Sequence, residues 1–191
     1  MLRSILTVGA AVIAVGVLSG CFCCKYGSCG AAKEAEKHAI QVARQRILDN
    51  KAGCVIIKYG EIVHDENGRG ISPILDIYRQ HPDKMKNSVL VDKVIGKAAA
   101  MVAICGKVKY VHAELICDSA VEILEKHNIK VTYTLRVKNI LNRSRTGLCP
   151  MEQTVLNISD PSAGVKALEA AVAKMKAVGP IDTHTSPAHR R

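Results

Sequence analysis

Three short segments carry most of the side chains able to do chemistry. They are Asp92-Lys93 with Gly96 and Lys97, then Cys117-Asp118-Ser119, and last Asn142-Arg143 and Thr146 leading into Cys149-Pro150-Met151-Glu152. The first two mark helix starts and the third a turn, so each offers free backbone N–H groups to an anion. Lys93, Lys97, Arg143 and Arg145 add positive charge, and Asp118, Ser119, Asn142, Thr146 and Cys149 add polar groups at the same places. Asp92 and Glu152 are candidate acid/base or ribose-binding carboxylates. Cys117, at a helix start, has the setting that favours a nucleophilic thiolate. Plainer roles stand beside these. Asp92 reads equally as a helix N-cap worth ~1 kcal/mol, Cys117 as a small core residue, and Cys149-Pro150 as the start of a helical turn.

The elements that must position these residues follow from periodicity. Ala35, Ala39, Ile40, Ala43 and Ile47 make one face of a helix over residues 31–50. Cys54 to Tyr59 and Glu61 to His64 read as a hairpin turning at Gly60. A polar loop, Asp65 to Gly70, leads to a helix capped by Ser72 with Pro73 at its first position. Ser88 to Val91 is a short strand, and Asp92 opens a helix running to Cys105. Lys109 to Ile116 alternates as a strand, Cys117-Asp118-Ser119 starts a helix to His127, and Val131 to Val137 is a strand again. Residues 139–152 form a basic, turn-rich loop, and Pro161 opens a last amphipathic helix. This order predicts a mixed sheet sandwiched by helices.

Composition limits the function classes. The chain is 48% hydrophobic and 23% charged, the balance of a globular domain. Only 3% is aromatic, with no Trp and one Phe, so the core rests on Ile, Leu, Val and Ala. The net charge is +10, and between Lys126 and Arg145 the cations Lys130, Arg136, Lys138 and Arg143 meet no Asp or Glu. Such a run suits anionic lipid, a phosphorylated ligand or simply a solvated face. Nucleic acid fits poorly, because Tyr133 is the one aromatic near it and single strands need stacking platforms.

The first residues read as an export signal. Arg3 is the positive start, Ile5 to Val17 is uncharged, and Leu18-Ser19-Gly20-Cys21 is a small-residue cleavage site ending in cysteine. The tetrapeptide resembles the lipobox of bacterial lipoproteins, in which the cysteine accepts diacylglycerol and further acylation such as palmitate. The apolar run of about 14 residues is short of the ~20 a spanning helix needs. Phe22, where an aspartate would favour inner-membrane retention, leans towards the periplasmic face of the outer membrane. Cys21, Cys23, Cys24 and Cys29 crowd this region, and Cys54, Cys105, Cys117 and Cys149 are scattered, with no spacing that resembles a paired framework.

The element order, with Asp92 to Ala100, Val111 to Ser119 and Asn142 to Glu152, resembles the cytidine deaminase-like superfamily, and more closely an uncharacterised branch of it. That resemblance implies a three-layer α/β/α sandwich with a cytidine deaminase-like mixed sheet over about residues 38–176. In active members one helix start carries His or Cys with a Glu two residues on, and the next carries Pro-Cys-x-x-Cys, all serving zinc. Here the corresponding starts read Asp92-Lys93-Val94 and Cys117-Asp118-Ser119-Ala120, so the zinc set is missing. His112-Ala113-Glu114 spells the triplet literally, but in an alternating strand, which is the wrong setting.

The sequence therefore divides into a signal peptide (1–20), a lipidated Cys-rich tether (21–37), the domain (38–178) and a disordered tail (179–191). It points to a lipid-anchored domain in the bacterial cell envelope, without metal or other cofactor, that binds a nucleotide-like or phosphorylated small molecule. The alternatives are a zinc-independent enzyme using Asp92, Cys117 and Glu152 and, behind it, an active zinc deaminase. Cys21→Ala should leave unprocessed precursor or release soluble protein. Unchanged processing and unchanged detergent partitioning of that variant would exclude lipidation there.

Overall fold

The computed structural model describes residues 28–178. The stretch read as an export signal, Cys21 and residues 179–191 lie outside the described residues. Five strands form one sheet in the order β2-β1-β3-β4-β5. β1 (Cys54–Lys58) and β2 (Glu61–Glu66) are a hairpin closed by Tyr59 and Gly60, both at positive φ (55° and 82°). Two positive φ values match the right-handed twist of the flanking strands. β3 (Val89–Ile95) runs antiparallel to β1, and β4 (Tyr110–Cys117) and β5 (Lys130–Val137) run parallel to β3.

Crossover helices join the parallel strands: α4 (Lys97–Cys105) between β3 and β4, and α5 (Asp118–Lys126) between β4 and β5. On the same face lie α2 (Ser72–Gln80), α3 (Pro82–Met85), α6 (Pro150–Val155) and α7 (Pro161–Val178). They share one core with Ile56, Leu90, Val111 and Ala113 of the sheet. α4 is buried almost all round, through Ala98, Ala99, Ala100, Met101, Val102 and Ala103. Its short side chains let α7 approach closely. A Cβ added at Gly164 of α7 would lie 2.3 Å from Met101 Sδ.

Among the described residues the other face is covered by α1 alone (Ser28–Leu48). Ala39, Ala43 and Ile47 seat it on Val55, Ile57, Val89 and Val91. The three layers expected from the sequence are present, and the second layer is a single helix lying over β1, β2 and β3. No described helix is long and apolar enough to cross a membrane.

The structure shifts several boundaries. Asp92 does not open a helix: β3 continues through it to Ile95, and α4 begins at Lys97 with Gly96 as its extended N-cap. Val94 and Ile95 are β-branched and pair with Leu115 and Ile116, so the ladder outcompetes an early helix start there. α1 begins at Ser28, inside the stretch read as tether. The loop read as running to Glu152 ends at Cys149, because Pro150 starts α6. Ser72 is the first residue of α2 rather than its cap, the cap being Ile71.

Candidate functional site

The start of α4 is where the sequence candidates meet. A helix start leaves N–H groups without intrahelical partners. Here the Glu152 carboxylate from α6 takes two of them: Lys97 N–H donates to Oε2 at 2.9 Å and Ala98 N–H to Oε1 at 3.0 Å. Gly96 makes this approach possible, since a Cβ there would lie 2.3 Å from Oε1. Glu152 is 9% exposed, so the carboxylate is an internal anion on a helix N-terminus. Cys117 Sγ sits 3.9 Å from Glu152 Oε2 and 3.2 Å from Ser119 Oγ, at the start of α5. Glu152, Cys117, Ser119, Gly96 and the Lys97 backbone thus form one cluster.

The other candidates have partners of their own, and Lys93 turns to the α1 side of the sheet. Lys97 Nζ donates to the Leu156 carbonyl at 2.8 Å, tying the end of α6 to α4. Lys93 Nζ donates to Asn50 Oδ1 at 3.0 Å, beyond α1. Asp118 pairs with Arg136 at 2.6 Å across the α5–β5 crossover. Asn142 closes a tight loop by accepting from Thr146 N–H at 3.0 Å and donating to Thr146 Oγ1 at 3.0 Å. A bridge between Leu141 and Leu148 braces that loop, and Cys149 N–H donates to the Ile140 carbonyl at 2.9 Å. Arg143 and Arg145 stand exposed on its tip, two residues apart.

Asp92 is a separate feature. It lies within β3, 8% exposed, with Oδ1 accepting from Val94 N–H at 3.0 Å. Burial raises its pKa to about 7, against the pull of the Val94 and Lys93 N–H groups and the Cys54 thiol. Burial, with Asp92 beside it, also holds the fully buried Cys54 thiol well above its usual range. No hydrogen bond joins Asp92 to Cys117 or Glu152 among the described residues, so the three candidate catalytic groups split into a pair and a single.

His112 and Glu114 lie within β4, as the alternation predicted, on the α1 face of the sheet. His112 Nδ1 is 2.8 Å from Thr132 Oγ1, which is also bonded to the Tyr110 hydroxyl. Glu114 accepts from Arg44 Nε at 2.6 Å and from Thr134 Oγ1 at 2.8 Å. The Arg44 bond, ahead of the Thr134 bond and its charge, pulls the Glu114 pKa down to about 2. Burial, then the Arg44 charge, lowers that of His112. His112 Nε2 is buried without a hydrogen-bond partner, 3.5 Å from Glu114 Oε1. The sequence reading missed this network. Matching alternation in Tyr110-x-His112-x-Glu114 and Thr132-x-Thr134 was its legible signal, whereas nothing in α1 singled out Arg44.

These positions decide whether the residues fit the zinc that the deaminase resemblance implies. They do not. The two helix starts present Gly96-Lys97-Ala98 and Cys117-Asp118-Ser119, with one thiol and no imidazole between them. His112 is on the face opposite Cys117 and Glu152. Among the described residues no group of three His, Cys, Asp or Glu is placed to hold a metal ion.

Residues 43–172 match a family model, TM1506, described as a domain of unknown function (DUF1893). The chain belongs to this family. A structure of a DUF1893 family protein (TM1506) from Thermotoga maritima is similar to this chain at 20% identity and a TM-score of 0.62, covering 72% of this chain and 90% of that one. Weaker likenesses extend to RibD of Acinetobacter baumannii (18% identity, 53% of this chain, 35% of that chain, TM-score 0.41). They extend also to a diaminohydroxyphosphoribosylaminopyrimidine deaminase/5-amino-6-(5-phosphoribosylamino)uracil reductase from Thermotoga maritima (18%, 55%, 37%, 0.35). No curated protein matches the sequence. The DUF1893 domain here is a mixed five-stranded α/β fold.

Two measurements check this geometry. Gly96→Ala should drive the Glu152 carboxylate off α4 and cost about 2–4 kcal/mol in urea unfolding, the scale of lost hydrogen bonds to a charged group. A loss below about 0.5 kcal/mol would show that Glu152 does not hold the helix. Asp92 has a folded pKa above its unfolded value of 3.8. Its contribution is therefore complete below pH ~4 and is lost as pH rises through about 7. Asp92→Asn should match the parent near pH ~3 and exceed it by up to about 4 kcal/mol above pH ~8. Parallel stability–pH curves for the two proteins would refute the assignment.

Proposed function

We propose that this chain is a lipid-anchored binding domain of the bacterial cell envelope. It is exported, lipidated on Cys21 and held on a membrane, and takes a phosphorylated, nucleotide-like small molecule at the start of α4. The observation that carries the ligand class is the Glu152 carboxylate resting on the Lys97 and Ala98 N–H groups. That spot is shaped for an anion, with a glycine in place of any side chain that would block it. A ligand phosphate would displace Glu152 and meet Ser119, Thr146, Asn142 and Cys149 at the rim, with Arg143 from the loop tip supplying charge. Lys93, Lys97 and Asp118 would have to leave their present partners to join them.

A second reading rests on Cys117 and Glu152 being 3.9 Å apart, a thiol beside a carboxylate, as in an enzyme of zinc-independent chemistry. Cys117 is 1% exposed, which favours the binding reading. Asp92, the third candidate of that reading, has the proton affinity of a group able to exchange protons near neutrality, but its contacts are with Cys54 and Val94.

The test is a titration of the full chain with inorganic phosphate and with cytidine 5′-monophosphate, followed by thermal shift at two salt concentrations. The parent should bind at millimolar concentration and Glu152→Ala more tightly, although less stable by itself. Arg143→Ala should bind about tenfold more weakly, the scale of one charge-assisted hydrogen bond, at an unchanged melting temperature. If neither the parent nor Glu152→Ala responds to either probe, the ligand class is wrong. Stoichiometric zinc lost in His112→Ala, or ammonia released from cytidine, deoxycytidine or adenosine, would overturn the zinc-free reading.

A further inference from the structure

We propose that β5 is a docking edge for an extended, acidic segment of another protein, which joins the sheet as a further strand beside it. β5 is the last strand in the sheet order, and β4 is its only neighbour. Among the described residues, Lys130–Val137 makes no backbone hydrogen bond beyond its pairing with β4. About every second residue of an edge strand turns its N–H and C=O outward, a row ready to pair with an incoming chain.

Natural edges are blunted by Pro, by bulges, by short length or by charges along the strand. β5 has eight residues, no Pro and no Gly, and its centre, Val131-Thr132-Tyr133-Thr134-Leu135, is uncharged, β-branched and aromatic. Its pairing with β4 shows no register shift. Tyr133 is 40% exposed and Leu135 54%, so a docked strand would find apolar side chains as well as backbone partners.

Charge selects the occupant. Lys126, Lys130, Lys138, Arg143 and Arg145 flank the uncharged centre, and none forms a salt bridge with a described residue; Arg136 alone is paired, with Asp118. Two copies joined through β5 would bring these cations together. The opposite edge, β2, has three acidic residues: Asp65 is paired with Arg46, Glu66 is hydrogen-bonded to His64, and Glu61 alone has no salt bridge among the described residues, too little to meet the cations of β5. A second copy is therefore a poor match at either edge, and an acidic strand from a different protein is a good one. Anionic lipid would satisfy the cations and leave the backbone row unpaired.

The experiment uses the full chain in nanodiscs of phosphatidylcholine and a fluorescent eight-residue peptide alternating glutamate with valine. Three companions accompany it: the same peptide N-methylated at alternate residues, its lysine–valine counterpart, and vesicles containing phosphatidylglycerol. The acidic peptide should bind, protect amides within residues 130–137 from hydrogen exchange, and weaken as salt rises. The N-methylated and lysine peptides should bind at least tenfold more weakly. Lys130→Glu with Lys138→Glu should weaken the acidic peptide at least tenfold while the melting temperature is kept. Equal binding of the N-methylated peptide, protection elsewhere than β5, or binding to the vesicles but not to the peptide would each overturn the proposal. None of these outcomes depends on phosphate binding at α4, because neither lysine belongs to that cluster.

Discussion

A carboxylate on a helix start holds the working end of this fold together. Glu152 reaches from α6 to the two leading N–H groups of α4, and Lys97 answers from α4 to the last carbonyl of the same short helix. α6 has six residues, too few to stand as a helix by its own hydrogen bonds. Its position depends on this exchange of ends with α4 and on the burial of Met151 and Val155. Because α4 is small-residued and buried on nearly every side, α7 and α6 can both press on it.

The same arrangement bears on the zinc that the sequence resemblance implies. Where the resemblance implies a ligand-bearing helix start, this chain has a glycine and an internal carboxylate. The space is filled from within. A charge-assisted hydrogen bond to a buried carboxylate stabilises a helix start without any metal. The free thiols Cys54 and Cys117 are buried, consistent with packing roles as well as chemical ones.

Element type was legible wherever a pattern was long. The alternation of β4, the β-branched β1 and β5, and the small-residue stripe of α4 each named their element correctly, and the mixed sheet followed from their order. Boundaries were less legible where two principles competed. Asp92 looks like a helix cap, but two β-branched residues follow it, and a partner strand was available to pair with them. The sequence also marked Cys117, Ser119, Gly96 and Glu152 as belonging to one place. It did not reveal that Glu152 would occupy that place itself, because the close approach depends on the absence of a Cβ fifty-six residues away. Nor did it reveal that Lys93 and Lys97 would turn to Asn50 and Leu156, since long flexible side chains choose partners only after the backbone is set.

The register of the sheet carries a consequence for how the chain can assemble. Val89 pairs with Tyr110, and Tyr110 with Lys130, so the two parallel pairings close loops of nearly the same length, about 20 residues. Nine residues of each loop are helix, which shortens the span the free chain must search. Loop-closure entropy grows only with the logarithm of length, so neither step is much harder than the other. The hairpin of β1 and β2 is more local still, with its turn conformation written into Tyr59-Gly60. The β1–β3 pairing, nearest at Ile57 with Val89, closes a longer loop and joins the hairpin to the parallel strands, while contacts such as Arg44 with Thr134 are the most distant in sequence.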